Sequence, residues 1–229
     1  MSVAVATEFD RHAHDYEQQI ADAIAFAGQP HERYLQAKVE RLLHLARRRL
    51  GDRPIGALDV GCGTGLVDSR VRPHVRSLAG VDVSAEMVER ASATNPDVHY
   101  HVSDGASLPH EDGSFDLTFA ICVLHHVDPD ERAQLVHEMK RVTRPGGLVA
   151  VFEHNPLNPL TRRVVKSIAF DEGVQLLGRG EVERAFRHAA LDVTDAEYLL
   201  FTPWRRLDRL ERAVTWLPLG AQYVVAARA

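Results

Sequence analysis

The sequence predicts an α/β protein built on a doubly wound, mostly parallel sheet with helices on both faces. Three observations carry the prediction. Short apolar runs alternate with helical repeats along most of the chain. FDLTFAICVL (115–124) is almost continuously apolar, as in a central strand covered on both faces. The segment LDVGCGTGLVD (58–68) breaks from an apolar run into glycines at every second position, the form of a strand-to-helix turn.

The elements follow in order. HERYLQAKVERLLHLARRRL (31–50) sets Leu35, Val39, Leu42, Leu43 and Leu45 near one helical face and stops at Gly51. Ala57 to Val60 reads as the first strand, and Leu66 to Val71 begins the helix after the glycines. A second strand ends at Asp82, and Ser84 caps a helix carrying Met87, Val88 and Ala91. VHYHVSD alternates Val98, Tyr100 and Val102 with polar residues, the pattern of an edge strand. After the apolar run, Asp128-Pro129-Asp130-Glu131 reads as cap, first-turn proline and capping acid of a helix through Leu135, Val136, Met139 and Val142. Pro145-Gly146-Gly147 ends that helix and releases LVAVFEH as the fifth strand. A short helix follows two Asn-Pro turns, GEVERAFRHAAL is amphipathic, and EYLLFTP and GAQYVVAARA are late strands. No repeat or linker divides the 229 residues, so one domain is expected. Its parts are a helical cap over 1–50, a core over 55–152, a cap insertion over 153–180 and a C-terminal completion of the sheet over 181–229.

Composition excludes several classes. An apolar fraction of 45% is that of a folded globular chain, and a formal charge of -5 offers no general attraction to nucleic acid. Cys62 and Cys122 form no C-x-x-C pair, which argues against a zinc site or a disulfide framework and fits a reducing cytoplasm. No signal-like N-terminus and no apolar span of roughly 18 residues appears. The thirteen histidines include no pair at helix-face spacing with a third ligand nearby, so no metal is expected.

The glycines argue against a phosphate. Gly61, Gly63 and Gly65 put Leu66 where the dinucleotide fingerprint needs its third glycine, and no Gly-Lys-Ser/Thr follows. Asp59, on the strand end, repels a pyrophosphate and attracts a cation. Asp82 ends the next strand, where an acid takes ribose hydroxyls in this topology. A nucleoside with a cationic tail satisfies both.

LDVGCGTG, GVDVS, SDGASLPHEDGSFDLTF and RPGG together resemble the class I S-adenosylmethionine-dependent methyltransferases, closest to the small-molecule group of ubiquinone/menaquinone C-methyltransferases and natural-product enzymes. The resemblance is strong over 55–152 and loose over FDRHAHDY. It implies a Rossmann-like, seven-stranded sheet with an antiparallel last strand. It also implies S-adenosylmethionine as cofactor, S-adenosylhomocysteine as product, and methyl transfer to a small organic acceptor in secondary or specialised metabolism. Gly61, Cys62, Gly63 and Gly65 would approach the methionyl part, with Asp59 nearby, and Asp82, Val83 and Met87 would hold the ribose side. Asp104, Gly105 and Ala106 would sit at the adenine, Ala120, Ile121 and Cys122 would line the floor, and Tyr16 would close over the cofactor carboxylate.

His126, then His125, are the candidate bases beyond the fourth strand; the other reading is packing or helix capping. Glu153, His154 and Asn155 end the fifth strand on the ligand edge and are expected to face the acceptor, unless Asn155 and Asn158 only hydrogen-bond their own turns. Arg162 and Arg163 suit an acidic group on the substrate or a solvated helix face. PWRRLDRLERAVTWLPLG suggests an amphipathic helix over 204–217, packed on the sheet, on a second subunit in a homodimer, or weakly on a membrane or lipid substrate. The sequence after the fourth strand is ICVLHH, unlike the Asn/Asp-Pro-Pro-Tyr of amino-methyltransferases. Two alternatives stand beside the main reading: a tRNA or rRNA methyltransferase, and a non-catalytic S-adenosylmethionine-binding regulatory subunit.

Overall fold

The computed structural model describes residues 3–25, 31–200 and 213–229. β1 (Gly56–Val60), β2 (Ser77–Asp82), β3 (His99–Val102), β4 (Phe115–Ile121) and β5 (Thr143–His154) lie parallel to one another. With β6 (Asp192–Leu199) and β7 (Gln222–Arg228) they form one seven-stranded sheet in the order β3-β2-β1-β4-β5-β7-β6. β7 runs antiparallel to both of its neighbours, so the last strand is the reversed one.

Alternation along the strands feeds two cores. Val149, Val151 and Val225 point to the face covered by Leu135, Val136 and Met139 of α6 (Arg132–Val142) and by Val182 and Phe186 of α8 (Arg179–His188). Leu148, Ala150, Phe152 and Val224 point to the other face, beneath Leu35, Val39, Leu42 and Leu45 of α3 (His31–Leu50). Leu42 and Leu45 are fully buried, each contributing roughly 1.5–3 kcal/mol. The end of α3 is held by Arg48 and Arg49, which both reach the buried carboxylate of Asp195 on β6.

The remaining helices are α1 (Val3–His12), α2 (Tyr16–Ala25), α4 (Asp68–Val71), α5 (Ala85–Thr94) and α7 (Pro159–Val165). Ser84 caps α5 by accepting from the Met87 amide at 3.1 Å. Asn158 caps α7 by accepting from the amides of Leu160 and Thr161, both at 3.0 Å, with Pro159 in the first helical position.

Several boundaries differ from the sequence reading. The helix after the glycines begins at Asp68, because 66–67 are still inside the turn. Asp128-Pro129-Asp130-Glu131 is itself a turn, with Glu131 and Arg132 amides donating to the Asp128 carbonyl, so α6 starts at Arg132 and Glu131 makes no side-chain cap. β5 already begins at Thr143 and runs through the Pro-Gly-Gly as an irregularity in the ladder. β6 begins five residues before the expected EYLLFTP, at Asp192. On edge strand β3, Val102 is 52% exposed. Of the helix expected over 204–217, residues 204–212 lie outside the described residues, and 215–216 form a turn that leaves Trp216 exposed. Among the described residues no helix is long and apolar enough to cross a membrane.

Candidate active site

The strand order reverses direction between β1 and β4, and their C-terminal ends open into a crevice. From β1 the chain enters the glycine turn. Gly61, Gly63 and Gly65 have φ of 76°, 53° and 76°, the left-handed region that L side chains avoid. The amides of Gly61 and Cys62 donate to the Val81 carbonyl at 2.7 and 3.0 Å. Asp82 accepts from the Gly63 amide at 2.9 Å and from the Ser84 amide at 3.0 Å, so the acid at the end of β2 also shapes the loop it faces.

Two cavities meet at Gly61. The larger, about 140 Å³, runs along Asp59, Gly61, Cys62, Gly63, Ile121 and Cys122 and reaches Tyr16, His125, His126 and His154. The smaller, about 30 Å³, is lined by Asp82, Val83 and Gly105 with Leu108 and Val123. Of the expected cofactor residues, Gly65, Met87, Asp104, Ala106 and Ala120 line neither. Met87 and Ala120 are core residues, Gly65 packs against Ala91 and Asn95, and Asp104 is exposed and accepts from the amides of Ala106 and Ser107.

Asp59 and Asp68 form a buried carboxylate pair beneath the glycines. Burial, then the neighbouring Asp68, pushes Asp59 well above the usual carboxylate range, and burial raises Asp68 to about 6 against a 2.8 Å hydrogen bond from the Tyr100 hydroxyl. One oxygen of each acid is buried without a hydrogen-bond partner. Lys38, buried on α3 and lining the same cavity, lowers Asp59 only partly. A cationic group seated on Gly61–Gly65 would meet acceptors already desolvated.

The far wall is built by histidines. After β4, Cys122 adopts φ 60°, a strained conformation for a non-glycine residue, and a single 3₁₀ turn over Leu124–His126 follows. Arg132 clamps that turn by donating to the carbonyls of Leu124 and Val127 at 3.0 and 2.9 Å. His125 Nδ1 lies 2.6 Å from Glu153 Oε2, while Glu153 Oε1 accepts from the Leu124 amide at 2.8 Å. Burial opposes a charge on His125, but Glu153 and Asp171 together outweigh it and hold the imidazolium well above the usual histidine range. His126 Nε2 stands 3.2 Å from Asp171 Oδ1, and burial followed by the charge on His125 lowers its pKa. His154 falls to about 4, chiefly through burial.

Glu153 and Asn155 do not face the cavity. Glu153 is fully buried beneath His125, and Asn155 donates to the carbonyls of Pro218 and Gly220, closing the entry to β7. The reason is the reach of β5, which carries Glu153 under the turn after β4 and sets Asn155, just past its end, against the entry to β7. Arg162 and Arg163 lie on the exposed side of α7.

Asp171, Phe170, Lys38 and Gln222 were missed by sequence reasoning. Asp171 and Phe170 come from the 3₁₀ turn Ala169–Asp171, which carries no motif. Phe170 stacks on Tyr16 with ring centroids 4.8 Å apart, and Phe9 meets His126 edge-on at 4.9 Å. FDRHAHDY thus folds over the cavity, and its Asp10 accepts from the Ser84 hydroxyl.

A model of the family described as methyltransferase domain matches residues 58–151, from the end of β1 to β5. The core of the chain, residues 58–151, is thus similar to methyltransferase domains. The chain is 36% identical over 121 residues to 27-O-demethylrifamycin SV methyltransferase of Amycolatopsis mediterranei, covering 49% of this chain and 42% of that one. It is 29% identical over 210 residues to 2-methyl-6-phytyl-1,4-hydroquinone methyltransferase of Synechocystis, covering 82% of this chain and 65% of that one. The chain therefore spans about two fifths to two thirds of the length of these two relatives. The fold is shared with a solved S-adenosylmethionine-dependent methyltransferase from Thermotoga maritima at TM-score 0.70 and 18% identity, over 98% of this chain and 99% of that one.

Proposed function

We propose that the protein transfers the methyl group of S-adenosylmethionine to a small organic acceptor of specialised metabolism, not to a nucleic acid. The observation that carries this reading is one cavity with the positive-φ glycine turn and the buried Asp59 on one wall and the His126–Asp171 pair on the other. The cofactor fits what is present: the desolvated carboxylate of Asp59, which lines the cavity, suits its cationic end, and Asp82 suits a ribose. Tyr16, whose phenol burial keeps protonated far above the usual range, is a donor for the cofactor carboxylate.

When bound, the cofactor supplies an electrophilic methyl on sulfur, so the protein's main task is alignment. The apolar wall of Ile20, Leu160, Val164, Ile168 and Phe170 holds a hydrophobic acceptor body. His126 takes the proton that the acceptor's nucleophilic atom gives up as its bond to the methyl carbon forms, and the Asp171 carboxylate, 3.2 Å away, stabilises the charge it acquires. His125, fixed by Glu153, is a buried cation beside them.

The test is methyl transfer from labelled S-adenosylmethionine into an extract of the native host, fractionated by size. Label in the small extractable fraction supports the reading. Label in RNA or protein overturns the acceptor class.

A further inference from the structure

The floor of the cavity gathers three metal-competent groups from three separate segments. His125 comes from the turn after β4, His154 from the end of β5, and Asp171 from the 3₁₀ turn beyond α7. One donor atom from each lies within 4.8 Å of the others. No helix-face spacing in the sequence foreshadows the set.

Two features point beyond mere proximity. Asp171 is 5% exposed, yet its Oδ1 has no hydrogen-bond partner: it lies 3.7 Å from His125 Nε2, and its 3.2 Å approach to His126 Nε2 does not make a hydrogen bond of acceptable geometry. His125 Nδ1 is committed to Glu153 at 2.6 Å with both side chains buried, which fixes the ring and aims Nε2 at Asp171. A carboxylate behind a histidine is the usual support for a metal-bound imidazole. His154 is held more loosely, its Nδ1 3.4 Å from Gln222 Nε2.

We propose that His125, His154 and Asp171 bind a first-row divalent transition-metal ion, which displaces the Nε2 proton of the His125 imidazolium and leaves its Nδ1–H on Glu153. Two imidazoles and one carboxylate select zinc or ferrous iron over magnesium or calcium, which require mostly oxygen donors. Metal–ligand bonds of about 2.1 Å place donors roughly 3–4 Å apart, so closure needs side-chain movements on the order of 1 Å. Three protein ligands leave a position open to the cavity, where an acceptor oxygen would coordinate. That catalytic use rests on the methyl-transfer reading; the binding of the ion does not.

The experiment titrates the chelator-treated full chain with Co(II) and follows visible absorption. One equivalent is expected to bind, to be displaced by Zn(II) and to be unaffected by Mg(II). Asp171→Asn and His154→Gln should each weaken binding at least about tenfold, and Glu153→Gln by about 10–100-fold. S-adenosylhomocysteine affinity, measured calorimetrically on each variant, reports that the fold is intact. Absence of stoichiometric Co(II) binding overturns the site, as does binding that survives both Asp171→Asn and His154→Gln. Binding without any methyl transfer would retain the metal site and remove the methyl-transfer reading; transfer without binding would do the reverse.

Discussion

His125 and Glu153 are 28 positions apart in sequence, yet their side chains meet at 2.6 Å with both closed off from solvent. The imidazolium is the main counterion that permits a carboxylate at the end of a central strand: burial pushes Glu153 up, but His125, with His154 and His126 behind it, outweighs burial and holds the acid below its usual range. Removing one partner of such a pair strands the other charge. Glu153→Gln should lower unfolding stability by roughly 3–5 kcal/mol in urea titrations. A loss below about 1 kcal/mol would show that His125 is neutral in the folded chain.

His126→Ala should reduce turnover by about 10²-fold or more, with S-adenosylmethionine affinity retained. Asp171→Asn should fall in the same direction, since Asp171 lies 3.2 Å from the His126 ring. Single-turnover methyl transfer measures both, and a near-normal rate for His126→Ala would reassign that residue to packing against Phe9.

The glycine turn separates two kinds of cost. At Gly63 an added Cβ meets nothing within 4 Å, so Gly63→Ala should cost only the left-handed backbone, roughly 1–2 kcal/mol. At Gly65 it would stand 2.5 Å from Asn95 Nδ2 and 2.7 Å from the Tyr100 hydroxyl, so Gly65→Ala should lose a further 1–3 kcal/mol or so through overpacking. Thermal unfolding of the two variants should rank them in that order, and the reverse ranking would mean the turn is not packed as described.

The Asp59–Asp68 pair predicts a pH dependence. Burial raises both above their unfolded values, Asp68 to about 6, so the folded chain binds more protons between about pH 4 and 6. Its stabilising contribution is present below that window and is lost as pH rises through about 6. Asp68→Asn should flatten this part of the stability profile. A cation beside Asp59 favours the ionised form, so cofactor affinity should strengthen as pH rises through 6, with protons released on binding in that range. Calorimetry in buffers of different ionisation enthalpy measures the release, and proton uptake would contradict the placement of the cation.

What the sequence determined by itself is the part of the protein governed by local rules. The α3 stripe ending at Gly51, the Ser84 cap, the buried run of β4 and the alternating glycines each declare their structure within a few residues, because helix periodicity, capping and backbone freedom are short-range properties. Asp82 was legible for the same reason, through its distance from the glycines along a βαβ unit. Tertiary structure alone decided what meets across the cavity. Glu153 ends a strand whose C-terminal edge is ordinarily exposed to ligand, but the turn clamped by Arg132 lays His125 over it and makes it a buried support. Asp171 and Phe170 sit in a turn without periodicity or motif, and only the packing of that turn against α1 and the histidines brings them to the site. Which carboxylate faces solvent, which pairs with an imidazole and which is left without a partner depends on loops meeting in space, and no spacing along the chain records it.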